Sequence, residues 1–157
     1  MSVPASTDHR VACVSPAGVH QMAYKAWGDP QNPKVLLCLH GLLRTGRDFD
    51  ALAQTLSPHY RVICPDFVGR GKSDWLADPS YYTIPQYVAD TLTLLQHLQP
   101  ERVDWVGTSM GGLITLSMAS MLSASSFTTV PTWQFGKIVL NDVGPVLDPA
   151  GLARIAQ

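Results

Sequence analysis

The stretch Gly107-Thr108-Ser109-Met110-Gly111-Gly112 sets one hydroxyl between glycines two residues to either side. A serine hydroxyl attacks a carbonyl carbon well only when its proton has somewhere to go, so this pattern predicts nucleophilic, acyl-transfer chemistry centred on Ser109. The residues before it, Val103–Gly107, are strand-like, and Gly112–Ala119 can be helical. A nucleophile at such a strand-to-helix corner needs small neighbours, because side chains at Gly107 and Gly111 would collide across the turn. The helix that starts there aims free N–H groups and its positive dipole end at the reaction centre. The N–H of Met110 is then placed to donate to the oxyanion formed on attack. A G-x-S-x-G pentapeptide arises by chance in about 5–10% of chains this long, so its strand and helix context carries most of the weight. The rival explanation is a small-residue helix entry that only lets helix and strand pack closely.

Two further loops support the chemical reading. His40-Gly41-Leu42 follows the apolar run Lys34–Leu39, and the N–H of Leu42 is the natural second oxyanion donor. His40, at a strand end, is read as structural and given no proton-transfer role. Asp66-Phe67-Val68-Gly69-Arg70-Gly71-Lys72-Ser73 follows the next strand. Its Gly71-Lys72-Ser73 invites a phosphate-loop reading, but the first glycine of that motif is replaced by Asp66, whose carboxylate would repel phosphate. The dinucleotide fingerprint fails as well, since Asp74 stands at its third glycine. The turn is read as the rim of the pocket, with Asp66 bonding loop amides.

The elements that would position these loops follow from patterning. His9–Ser15 and His20–Trp27 read as a hairpin around Pro16-Ala17-Gly18. Lys34–Leu39 and Tyr60–Cys64 read as buried strands, Val103–Gly107 as another, and Phe135–Asn141 as a last one. Helices are expected over Asp48–Leu56, with Phe49, Leu52, Ala53 and Leu56 on one face, and over Ile84–Leu98 behind a Thr83-x-x-Gln86 capping box. A third should run from Ser109 to about Leu122, with a polar loop over Ser123–Thr132. Apolar strands alternating with amphipathic helices predict an α/β domain: a mostly parallel sheet with helices on both faces and an antiparallel N-terminal hairpin.

Composition narrows the function classes. Of 157 residues, 46% are hydrophobic and 15% charged, which excludes a disordered chain. Eleven Lys and Arg against twelve Asp and Glu give a net charge of −1, so no nucleic acid or anionic membrane partner is expected. No apolar run approaches the ~20 residues of a membrane span. The first ten residues lack the apolar core of a signal peptide, so a cytoplasmic location is expected. Cys13, Cys38 and Cys64 fall in predicted strands without metal-ligand spacing and are read as buried, reduced thiols. Neither a metal nor a cofactor is expected, and the partner is a small-molecule substrate.

The chain resembles the α/β-hydrolase fold family, on the strength of the His40-Gly41 loop, the Asp66–Ser73 turn and the Gly107–Gly112 elbow, in that order. The resemblance covers about residues 20–145 and implies the strand order 1-2-4-3-5-6. It also implies Ser109 as nucleophile and the Leu42 and Met110 amides as oxyanion hole. The activity implied is serine-dependent hydrolysis of an ester or related carbonyl substrate, esterase- or lipase-like.

Against the family pattern, His9, His20, His40, His59 and His97 all precede Ser109, whereas the family's base follows it. Asp142, the acid near a downstream strand end, is the candidate catalytic acid, since some family members carry it after the sixth strand; its alternative role is capping the Val143-Gly144-Pro145 bend. We therefore expect residues 1–157 to form one partial domain of a longer hydrolase. Such a fragment lacks the cap, strands seven and eight and the last helix. Residues 1–8 should be flexible and 146–157 should open a cap or a following helix. The other readings are a catalytically inactive remnant acting as a binding module, or one half of a two-chain enzyme completed by a complementing chain.

Overall fold

The computed structural model describes residues 6–123 and 131–143. Strands β1 (Thr7–Ser15), β2 (Gly18–Trp27), β3 (Lys34–Leu39), β4 (Arg61–Pro65), β5 (Arg102–Thr108) and β6 (Gln134–Asn141) form one sheet, ordered β1-β2-β4-β3-β5-β6. The hairpin β1–β2 and the β2–β4 pair are antiparallel, and β4, β3, β5 and β6 run parallel. Helices α1 (Asp50–Leu56), α2 (Ile84–Leu98) and α3 (Met110–Ser123) cover the sheet. This is the strand order and the mixed α/β class that the sequence implied.

The period of two along β3 explains its continuous apolar run. Val35, Leu37 and Leu39 enter the larger core, which includes Leu94, Leu95, Trp105 and Ile114. Leu36 and Cys38 point the other way, into a smaller core with Phe49, Ala53, Val62 and Cys64 under α1. A strand buried on both faces cannot alternate with polar residues. All three cysteines are buried and free.

Several boundaries differ from expectation for local reasons. The helix expected over Asp48–Leu56 begins instead as a 3-10 turn, Gly46–Phe49, leading into α1. Thr45 starts that turn by accepting from the Arg47 N–H at 3.3 Å, and the Asp66 carboxylate pulls on the Gly46 N–H at 2.8 Å. On this short helix Phe49 and Ala53 are buried, whereas Leu52 lies 37% exposed. The capping box is half formed. Thr83 Oγ1 accepts from the Gln86 N–H, but the Gln86 side chain turns away to donate to the Val14 carbonyl and Asp90. β1 begins at Thr7, where Thr7 and Asp8 pair with Ala26 and Lys25 of β2, so the last two of residues 1–8 are structured. The segments 124–130 and 146–157, expected as loop and cap, lie outside the described residues.

β6 is seated on β5 through an irregularity in register between Val103 and Trp105. There Asp104 Oδ1 accepts from the Lys137 N–H at 2.8 Å and Arg102 Nε at 3.1 Å, while Oδ2 accepts from the Tyr60 hydroxyl at 2.6 Å. A Cβ at residue 136 would strike that carboxylate, so glycine is required. Burial pushes the Asp104 pKa up, but the Tyr60 hydroxyl, Lys137 amide and Arg102 together outweigh it and hold the pKa below the usual carboxylate value. A depressed carboxylate pKa stabilises the fold above the unfolded value, and that stability is lost as pH falls through the folded one. Asp104→Asn should therefore cost about 1–3 kcal/mol in urea unfolding at pH 7. The gap from wild type should close as pH drops below about 4. A gap independent of pH would remove the ionised carboxylate from this role.

Candidate active site at the strand-to-helix corner

Ser109 sits between β5 and α3 with φ +52, a left-handed conformation that costs a non-glycine residue about 1–3 kcal/mol. Its N–H donates to the Asn141 carbonyl at the end of β6 at 2.9 Å. Its own carbonyl accepts from Gly112 and Leu113, at 2.9 and 3.1 Å, which opens the first turn of α3. A Cβ at Gly107 would lie 2.7 Å from both the Gly111 carbonyl oxygen and Gly112 Cα. This is the collision across the turn that the motif implied. Gly111 is needed for a different contact, since a Cβ there would run into the Leu39 carbonyl at the end of β3. Gly112 faces Val143 in the same way.

The loop after β3 lies beside this corner. A Cβ placed on Gly41 would be 3.6 Å from Ser109 Cβ. The Gly41 carbonyl accepts from the Arg44 N–H at 3.1 Å, folding residues 41–44 into a turn. Arg70 Nε donates to the Leu42 carbonyl at 2.9 Å, tying that turn to the loop after β4. The Leu42 N–H makes no hydrogen bond among the described residues. Met110 is the first residue of α3, so its N–H has no acceptor within the helix. Both amides are thus without an acceptor among the described residues.

His40 is fully buried and occupied at both ring nitrogens. Nδ1 lies 2.7 Å from the Gly41 carbonyl and Nε2 accepts from the Phe67 N–H at 2.9 Å. Burial lowers its pKa, with partial opposition from the bond to Gly41, so the ring is neutral and donates from Nδ1. Its work is to tie the ends of β3 and β4 together. Asp66 does the same for the rim. Its carboxylate accepts from Gly46 and Lys72 amides, and its carbonyl accepts from the Ser73 hydroxyl, which in turn accepts from the Ala23 N–H. Gly71, at φ +54, lies against that carboxylate where a Cβ would collide.

The other four histidines are placed elsewhere. His59 and His97 precede β4 and β5, at the sheet end opposite Ser109. His9 stacks on Tyr24 at 5.1 Å, and His20 is buried against Asp90. No described side chain hydrogen-bonds the Ser109 hydroxyl. Asp142 follows Asn141 at the end of β6, exposed, with φ +59 and no described partner. It is near Ser109 in topology, and its left-handed backbone suits a turn.

Cys13, His20 and Asp90 form a buried cluster that sequence reading did not foresee, because it joins the hairpin to α2 across 70 residues. The register opposition of Cys13 and His20 was its only available signal. His20 Nε2 lies 2.7 Å from Asp90 Oδ2, closer than two ligands of one cation, which stand roughly 3 Å or more apart. Burial and then the Asp90 charge push the Cys13 thiol up to about 12, so it stays protonated. The cluster is a hydrogen-bonded polar core.

A cleft of about 490 Å³ opens beside the 41–44 turn, walled by Leu42, Leu43, Arg70, Trp75 and Tyr82. A larger one of about 620 Å³ lies between the hairpin and the Asp66–Lys72 turn, and none of Ser109, Leu42 or Met110 lines it. Leu42 lines the smaller cleft, which ties it to the loop beside Ser109, while neither Ser109 nor Met110 lines either cleft. Among the described residues no helix is long and apolar enough to cross a membrane.

A family model for the alpha/beta hydrolase fold matches residues 34–134. The chain is 54% identical over 145 residues to a 3-hydroxybutyrate-oligomer hydrolase of Cupriavidus necator, covering 92% of this chain and 46% of that one. It is 36% identical over 100 residues to a serine hydrolase-like protein of Danio rerio, covering 64% of this chain and 29% of the other. Among solved structures, an alpha/beta hydrolase from Novosphingobium aromaticivorans superposes with a TM-score of 0.77 at 39% identity, over 96% of this chain and 48% of that one. The chain therefore spans about half the length of these two longer matches or less. With three motifs in register, the six-stranded order and these likenesses, the chain belongs to the alpha/beta hydrolase fold family.

Proposed function

We propose that this chain carries the nucleophile of a serine hydrolase that cleaves esters of short hydroxy acids. The observation that carries it is the strained Ser109 elbow, next to a loop and a helix start whose Leu42 and Met110 amides are unpaired among the described residues. In this reading Ser109 Oγ attacks the ester carbonyl carbon as its proton passes to a base. The carbonyl oxygen becomes an oxyanion held by the Leu42 and Met110 N–H groups. Collapse expels the alcohol, which takes up the proton, and leaves Ser109 acylated. Water then repeats the sequence, releasing the acid and restoring the hydroxyl.

The base is not one of the five histidines described above. His40 has both nitrogens engaged, and the others stand away from the elbow. We place the base on a segment outside these 157 residues, either in the same polypeptide or in a complementing chain. The hydroxy-acid assignment rests on the 54% identity to the Cupriavidus necator relative and its named substrate. A non-catalytic remnant is the alternative if no base is supplied.

Three outcomes test this. In the protein that carries this chain, Ser109→Ala should lower kcat for p-nitrophenyl butyrate by about 10³-fold or more with KM little changed. Retention of the rate would remove Ser109 from the chemistry. The isolated 157-residue chain should show no steady turnover, because acylation and deacylation both lack their base. Asp142→Asn in the active protein should keep kcat within about tenfold, as expected of an exposed turn residue. A loss of about 10⁴ would instead assign Asp142 as the acid that orients the base.

A further inference from the structure

Resting on the hydroxy-ester reading, we propose that Arg70 is a specificity residue that binds the free carboxylate end of the substrate in the cleft beside the 41–44 turn. Its guanidinium is fixed without being neutralised. Nε donates to the Leu42 carbonyl at 2.9 Å, and Nη1 donates to the Val68 carbonyl and the Tyr87 hydroxyl, both at 2.9 Å. The guanidinium carbon lies 5.7 Å from the Tyr82 ring centre and 5.1 Å from that of Tyr87. All of these partners are uncharged, and Nη2 has no hydrogen-bond partner among the described residues.

The neighbouring charges are already committed. Arg44, on the same cleft, is held by Asp48 at 2.8 and 2.9 Å. The two Asp66 oxygens take the Gly46 and Lys72 amides. Asp74 takes the Gln21 amide and pairs with Arg10. No described carboxylate pairs with Arg70. A cation held by carbonyls and tyrosine faces keeps its attraction for an anion and has little side-chain freedom left to lose.

The position fits the chemistry. Arg70 touches Leu42, the residue after Gly41, which itself lies against Ser109. An oligomer of a 3-hydroxy acid ends in a carboxylate only a few bonds beyond its last ester carbonyl. With that carbonyl at Ser109, the carboxylate carbon lies four bonds away, at most about 5 Å. Trp75, 78% exposed, and Leu43, 89% exposed, supply apolar walls for the methyl-bearing chain. Removing such a charge-assisted bond is worth on the order of tenfold or more in affinity.

The test compares the 3-hydroxybutyrate dimer with its methyl ester, and both with neutral p-nitrophenyl butyrate, in the protein carrying this chain. Wild type should favour the free-acid dimer over the methyl ester in kcat/KM by about tenfold or more. Arg70→Gln should bring that ratio near one, and Arg70→Lys should retain part of it. Arg44→Gln should leave the ratio within about twofold, since Asp48 already neutralises Arg44. A purely structural Arg70 would lower all three substrates together and leave the ratio intact, which would overturn the proposal. If Arg70→Gln does not fold, a wild-type ratio near one overturns it equally. Ser109-dependent turnover of p-nitrophenyl butyrate without dimer discrimination defeats this inference alone. Ester hydrolysis that is absent or independent of Ser109 defeats the hydrolase reading and this inference with it.

Discussion

The close approach of the first turn of α3 to the ends of β3 and β5 governs the rest of this structure. Gly107 and Gly111 permit contacts that no side chain would allow, one to the helix backbone and one to the Leu39 carbonyl. Ser109 is left in a left-handed conformation at the crest, with its N–H tied to Asn141 of β6. Such strain persists only where its surroundings over-determine it. Here β3, β5 and β6 all converge on one residue. The same convergence brings Gly41, the residue before Leu42, against Ser109.

The polar groups around this corner divide by task. His40 and Asp66 are buried and hydrogen-bonded to loop backbone, so they fasten the loops after β3 and β4. Leu42 and Met110 carry backbone N–H groups with no acceptor among the described residues. Arg70 joins the two groups, since one of its bonds fixes the 41–44 turn while its charge remains unanswered among the described residues. In the proposed reading, these donors would meet the negative charge that develops on attack by Ser109.

Much of this was legible in the sequence because it depends on local rules. The β3 run Val35–Leu39 announces burial on both faces, and the glycine pair around Ser109 announces a tight corner. The reason for Gly111 was not legible, because its partner, Leu39, is 72 positions away in sequence and adjacent only in the folded sheet. Thr83-x-x-Gln86 misled for the same reason, as Val14 and Asp90 compete for the Gln86 side chain. The Cys13–His20–Asp90 core and the Asp104 seat for β6 likewise join elements far apart in sequence. Periodicity and capping rules report on neighbours along the chain, whereas these contacts are set by tertiary packing.

The central claim is that this corner holds a nucleophile and its oxyanion donors in one geometry. A crystal structure of the protein after reaction with a p-nitrophenyl alkylphosphonate tests it most directly. A phosphorus–Oγ bond to Ser109 is expected, with the phosphonyl oxygen about 2.7–3.1 Å from the Leu42 and Met110 nitrogens, as hydrogen bonds to an oxyanion require. An adduct on another residue, or a phosphonyl oxygen turned away from both amides, would contradict it.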